Sequence, residues 1–184
     1  MKSLTREQAA LWARYLKTLP PARRPRRAHV AADFAGDRKV SDGLIHLYLD
    51  GRKTAGSSLT ADFASARQPL PKPGNYWIIL DGRRRPRLIV RTDKIVFFVF
   101  KNIPGHVAHA EGEGDLSVAH WKHVHRKMYS PFLARWGIER LDDARVVTEF
   151  FTLVFSATAE EPARRKLNGF SRSSAASIPT KKVH

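Results

Sequence analysis

The sequence predicts a small α+β domain in which a curled sheet or small barrel is flanked by helices. Three observations carry this prediction. Runs rich in β-branched and aromatic residues occupy positions 76–80, 88–92, 94–100 and 146–155, a composition suited to a pleated, half-buried surface. Segments with apolar residues three or four apart lie on either side, at 5–19 and 118–132. Turn signals between the central runs are closely spaced, as short antiparallel strands require. At 184 residues, 42% of them hydrophobic, the chain is one domain with extensions and has enough apolar surface for a core.

Taken in order, Thr5-Arg6-Glu7-Gln8 reads as a capping box, with Thr5 as N-cap and Gln8 reaching back to it. Leu11, Trp12, Tyr15, Leu16 and Leu19 follow at helical spacing, and Pro20-Pro21 stops the helix. Arg23, Arg24, Arg26 and Arg27, interrupted by Pro25, predict an extended, solvated linker whose charges also suit phosphates. Residues 1–36 are thus read as a helix and a basic Pro/Arg linker.

Ser41 is expected to cap a short helix with Leu44, Leu47 and Tyr48 facing inward, ended by Gly51. Residues 59–66 predict a helical turn or a loop, and the proline-rich stretch 69–74 a rigid connector. Asp81-Gly82 opens a hairpin turn crowded by Arg83, Arg84, Arg85 and Arg87. Residues 102–110 predict a short helix. Asp115 or Ser117 caps the next one, whose stripe of Val118, Trp121, Val124, Met128 and Phe132 is expected in the core. The folded domain therefore spans 37–156, and residues 157–184 read as a basic, disordered tail without apolar period.

Charge narrows the partners. The chain holds 33 Lys+Arg against 17 Asp+Glu, a formal net charge of +16. A surface so basic gains from releasing condensed counterions when it meets a polyanion, which points to RNA or another nucleic acid. The plainer alternative is that the charge only keeps the protein soluble. With no cysteine, disulfide-linked partners and thiolate metal sites are excluded. No apolar run approaches the roughly 20 residues that span a bilayer, and residues 1–17 lack a secretory pattern. The expectation is a cytoplasmic protein with no membrane partner.

Two segments of opposite charge concentrate the chemistry. Asp50-Gly51-Arg52-Lys53-Thr54-Ala55-Gly56-Ser57-Ser58 sets two cations, Arg52 and Lys53, among the hydroxyls of Thr54, Ser57 and Ser58. Ala110-Glu111-Gly112-Glu113-Gly114-Asp115 sets three carboxylates among glycines, and a cleft where both segments converge is expected. A buried Lys53 is a base if deprotonated and a phosphate grip if charged; the plain alternative is an exposed turn lysine. Glu111 either holds Lys53 through a charge-assisted hydrogen bond or joins Glu113 and Asp115 as an oxygen ligand of Mg2+. For Asp115, capping of the following helix is the simpler role. Tyr48, one helical turn before the basic segment, is the candidate for stacking on an unpaired base, whereas Trp77 reads as core. Arg91 and Lys94 are candidate backbone contacts. His120, His123 and Lys127 are expected on a basic, RNA-facing surface, because clustered histidines without an i,i+4 pair fit a metal poorly.

Gly51-Arg52-Lys53-Thr54-Ala55, Pro71-Lys72-Pro73-Gly74, Leu80-Asp81-Gly82 and Glu111-Gly112-Glu113-Gly114-Asp115-Leu116-Ser117, followed by Trp121 and His125, occur in one order. That ordered set resembles the bacterial ASCH domain family, over about residues 37–155. The resemblance implies a β-barrel related to the RNA-binding PUA fold, with a cleft between barrel and helices. It further implies one of two activities: metal-dependent cleavage of single-stranded RNA, or amide hydrolysis on N4-acetylcytidine by a Lys, Thr and Glu set. A domain that binds nucleic acid without chemistry is the third reading. In the hydrolase set, Lys53 matches the family lysine and Glu111 the glutamate, with Glu113 as the alternative alignment. The family threonine falls at Gly56, so Thr54, Ser57 or Ser58 has to supply the nucleophile.

Overall fold

The computed structural model describes residues 3–157. The predicted basic tail, 157–184, lies outside the described residues apart from Ala157. Five strands form one open, curled sheet in the order β1-β3-β4-β5-β2. They are β1 (Val30–Phe34), β2 (Ala55–Leu59), β3 (Tyr76–Leu80), β4 (Pro86–Val99) and β5 (Arg145–Ser156). Among the described residues five α-helices accompany them: α1 (Arg6–Thr18), α2 (Ser41–Leu49), α3 (Thr60–Ser65), α4 (Gly105–Glu111) and α5 (Val118–Tyr129). The pair β1–β3 is parallel and the others are antiparallel.

The α+β class and the curled sheet are as expected, but the strand assignment changes at three places. Residues 30–34, read as linker, form β1, an edge strand in register with β3. Its mixed Val-Ala-Ala-Asp-Phe composition carries no strong strand signal. Residues 55–59, read as part of a turn, form β2, the other edge, paired to β5. The runs at 88–92 and 94–100 are one continuous strand, β4, whose register shifts between Thr92 and Lys94. An irregularity there bends the strand and tightens the twist without breaking it, which curls the sheet.

The period-2 alternation of β3 explains how the layers sit. Tyr76, Ile78 and Leu80 pack with Leu11 and Tyr15 of α1 on one face, while Trp77 and Ile79 pack with Ile45 and Tyr48 of α2 on the other. A third cluster joins Leu59, Phe100, Val107, Trp121, Tyr129 and Val146, seating α4 and α5 over the β2–β5 end. The capping box forms as predicted: Gln8 N donates to Thr5 Oγ1 and Thr5 N to Gln8 Oε1.

Ser41 does not cap α2. Its hydroxyl donates to Leu80 O at 2.5 Å and accepts from Ala35 N at 3.1 Å. It thereby pins the start of α2 to the end of β3. The buried residues of α2 are Ser41, Ile45 and Tyr48, with Leu44 and Leu47 only partly covered. On α5 the buried residues are Trp121, His125 and Tyr129, and Phe132 is exposed. The stripe is rotated from the expected one because two polar-tipped rings, His125 and Tyr129, go inward.

Candidate functional site

Lys53 leaves the C-terminal end of α2 through a tight turn in which Arg52 N and Lys53 N both donate to Leu47 O at 2.9 Å. The chain then enters β2. The acidic segment follows α4, which ends on Gly112 at φ +73°. The two segments are clipped together by backbone: Thr54 N donates to Ala110 O at 2.7 Å, and the Thr54 hydroxyl reaches the same oxygen. A Cβ on Gly112 would run into the carbonyl of Arg52. Glycine is required twice there, for the left-handed conformation and for the close approach.

The basic and acidic segments thus converge as expected. The Lys53 ammonium lies 2.7 Å from Glu113 Oε1 and 3.3 Å from Glu111 Oε2, and it also donates to Glu111 O. Lys53 is 6% exposed and Glu111 3%. Glu111 Oε1 accepts from Trp121 Nε1 at 2.7 Å, and His125 Nε2 stands 3.6 Å from Oε2. The His125 ring stacks on Trp121 with centroids 3.8 Å apart, and its Nδ1 lies 2.9 Å from Trp121 O.

Burial alone would lower the pKa of Lys53. The carboxylates of Glu111 and Glu113 outweigh it, so the ammonium is held charged, above its ordinary value. Glu111 is the mirror case. Burial would raise its pKa, but the Lys53 cation, then His125, and hydrogen bonds from Trp121 and Ser57 pull it below the usual carboxylate range. Burial depresses the pKa of His125 more than Glu111 restores it, so the ring is neutral at pH 7. Below pH ~6.5 the unfolded chain takes up a proton at this position that the folded one refuses. The stability present at neutral pH is therefore expected to fall as the pH drops through the folded value. Urea titrations between pH 7.5 and 5 should show this loss, and His125→Phe, which keeps the stack on Trp121, should flatten it.

Other predicted residues spread out. Ser57 bonds Thr148 through its hydroxyl at 2.8 Å and accepts from Tyr129 on its backbone oxygen, while Ser58 lies one residue on, opposite Val147. Arg52 is exposed beside the clip. Arg91 pairs with Asp93 at 2.7 Å, Lys94 is exposed opposite Phe150, and Lys127 is exposed on the outer side of α5. His120 is partly buried, and Glu113, Ser117, Val124 and His125 line a small cavity with it. Tyr48 departs from its expected role. It is 6% exposed and already stacked on Phe151, with centroids 5.3 Å apart and planes 11° from parallel. Its ring fills the core, so no face is open to a base. The hydroxyl points to the charged centre, where burial raises its pKa to about 12.

The three acids do not fit a magnesium ion. Glu111 and Glu113 both close on the Lys53 ammonium, so a divalent cation between them would face a fixed positive charge. Asp115 is exposed, and its Oδ1 accepts from Ser117 N. Ser117, not Asp115, is the N-cap of α5. Among the described residues no group of three His, Asp or Glu side chains is placed to hold a metal.

Sequence reasoning missed Thr148, Tyr129 and Glu149, and placed Trp121 in the core without its bond to Glu111. His125 was detectable from spacing, since it follows Trp121 by four residues and so shares its face. Glu149 was detectable as a lone carboxylate within a β-branched and aromatic run.

A family model described as ASCH domain matches residues 31–155. Among solved structures, an ASCH domain from Lactobacillus crispatus JV V101 superposes with a TM-score of 0.77 at 24% identity, covering 84% of this chain and 98% of the other. A protein from Enterococcus faecalis V583, of the family-model DUF984, gives a TM-score of 0.68 at 26% identity, covering 90% and 97%. No curated protein matches the sequence.

Proposed function

We propose that this chain, which belongs to the ASCH domain family, binds single-stranded RNA and seats one nucleotide against the Lys53 ammonium. The observation that carries this reading is a cation almost wholly buried yet held protonated, at the junction of two loops in a chain of net charge +16. An ammonium fixed in a place of low dielectric polarises a carbonyl or hydroxyl oxygen of a bound nucleotide more strongly than a surface lysine does, while the two carboxylates that hold it leave the phosphates to exposed cations. Exposed arginines and lysines such as Arg52, Lys94 and Lys127 supply affinity that does not depend on sequence. The cytoplasm, where RNA is abundant, is the compartment this reading places it in.

Amide hydrolysis on a modified nucleoside is favoured by one further observation: the Ser57 hydroxyl, held by Thr148 at 2.8 Å, stands on the strand that leaves Lys53 and helps to lower the pKa of Glu111. There Glu111 would take the hydroxyl proton as Ser57 attacks the acyl carbon, and Lys53 would stabilise the oxyanion. Its collapse would break the C–N bond with the proton passing from Glu111 to the leaving amino nitrogen, and water would then cleave the acyl–Ser57 ester to acetate. The depressed pKa of Glu111 makes it a weak base, so binding is the primary reading. Turnover of N4-acetylcytidine to cytidine, absent in Ser57→Ala, would promote the second reading.

Binding is tested with labelled single-stranded RNA of about eight nucleotides. The logarithm of affinity should fall linearly with the logarithm of salt concentration. Lys53→Met/Glu111→Gln, which removes both charges together, should bind at least about tenfold more weakly at every salt concentration, a loss of ~1.4 kcal/mol. Equal affinity in the double variant would show that RNA does not reach Lys53.

A further inference from the structure

Glu149 lies on β5 with Trp77 of β3 and Thr92 of β4, on the sheet face that carries Phe151 and α2. One of its carboxylate oxygens is fully used. Oε2 accepts from Trp77 Nε1 at 3.0 Å and from the Thr92 hydroxyl at 2.8 Å. Oε1 has no hydrogen-bond partner among the described residues. No buried polar side-chain atom there lacks a partner, so Oε1 must reach solvent. The same reasoning applies to the Tyr48 hydroxyl.

These two atoms belong to the Lys53 centre. Phe151, two residues beyond Glu149 on the same strand, stacks on the Tyr48 ring with centroids 5.3 Å apart, and its backbone N donates at 2.9 Å to Thr54 O, the residue after Lys53. The backbone opposite Glu149 is Gly56, where a Cβ would be in contact with the Phe151 ring. The surface beside Lys53 therefore has an acceptor, Glu149 Oε1, a donor, the Tyr48 hydroxyl, and a floor kept low by a residue without a side chain.

We propose that Glu149 and Tyr48 form a subsite that reads the edge of the nucleobase whose nucleotide contacts Lys53, with Glu149 Oε1 accepting a hydrogen bond from an exocyclic amino group. This rests on the reading of the domain as an RNA binder. The class selected is an amino-bearing base, cytosine, adenine or guanine, against uracil. Trp77 and Thr92 act as positioning residues: by occupying Oε2 they fix the carboxylate plane and leave one oxygen to face outward. A base without an amino group would leave Oε1 desolvated and unpaired, and sites built to hydrogen-bond a ligand reject analogues that lack the group.

The discriminating variant is Glu149→Gln. Both Trp77 Nε1 and Thr92 can donate only to an oxygen if their bonds are to persist, so the glutamine carbonyl takes the place of Oε2. Its amide NH2 then faces outward where an acceptor stood. Binding of the full chain to labelled eight-nucleotide oligomers of cytidine, adenosine and uridine is measured at one salt concentration. The wild type is expected to prefer the amino-bearing oligomers over uridine by about tenfold, the size expected of one buried hydrogen bond. Glu149→Gln is expected to lose that preference and to gain affinity for uridine, whose O4 is an acceptor. An unchanged thermal midpoint confirms that the variant folds, and Trp77→Phe, which frees Oε2 in part, should blunt the preference without inverting it. Equal wild-type binding to all three oligomers, or an unchanged preference in Glu149→Gln, overturns the subsite. Failure of every oligomer to bind would instead overturn the RNA-binding reading beneath it.

Discussion

Replacing Lys53 by methionine is expected to destabilise the protein by about 3–5 kcal/mol, the cost of leaving a buried carboxylate without its counter-charge. Glu111 is 3% exposed, so water cannot replace the ammonium, and Glu113 loses its 2.7 Å partner as well. The methionine side chain is similar in length and apolar, so the change tests charge more than volume. Adding Glu111→Gln should recover most of the loss, because the neutral amide still accepts from Trp121 Nε1 and needs no cation. Urea denaturation of the two single variants and the double variant closes the thermodynamic cycle, and the coupling between sites should exceed about 1 kcal/mol. Additive effects would mean that the pair does not work as a unit.

The second large effect is expected at Gly112. An alanine there would have to hold φ near +73° and drive its methyl group into the Arg52 carbonyl. Strain and clash together should cost about 2–4 kcal/mol. The damage would fall on the place where the acidic loop crosses the basic one, so RNA binding should drop along with stability. Gly105→Ala is the control. A Cβ there meets nothing within 4 Å and the backbone conformation is ordinary, so its effect should stay within about 0.5 kcal/mol. Equal midpoints for the two alanine variants in urea would contradict the role given to the loop crossing.

The difference between Gly112 and Gly105 shows what the sequence could and could not disclose. Both are glycines beside charged or helical segments, and only the folded chain shows which one lies against another backbone. Lys53 and Glu111 could be singled out in advance because each lies in a short charged segment broken by glycines, one basic and one acidic, and each falls in the ordered set that resembles the family; their burial was not legible. Their convergence needed the structure, since 58 residues separate them. The capping box at Thr5 was legible because it is local, closing within three residues. Strands β1 and β2 were not. They are edges, short and rich in alanine, glycine and serine, and tertiary pairing alone makes them strands. Tyr48 illustrates the opposite error. Its spacing before the basic turn suggested a base-stacking ring, but Phe151 from a distant strand covers its face. Glu149 stood out in sequence only as a lone carboxylate in a hydrophobic run; its role was not legible, because its partners Trp77 and Thr92 are 72 and 57 residues away.

The most direct test observes the Lys53 ammonium itself while RNA is added. With lysine labelled at the ε-carbon and ζ-nitrogen, NMR follows the assigned Lys53 signal during titration with an eight-nucleotide single strand. This signal should shift in proportion to binding and keep the character of a charged ammonium throughout. A Lys53 signal that stays fixed while only the exposed lysines move would contradict it, leaving a basic surface that binds RNA without using the buried centre.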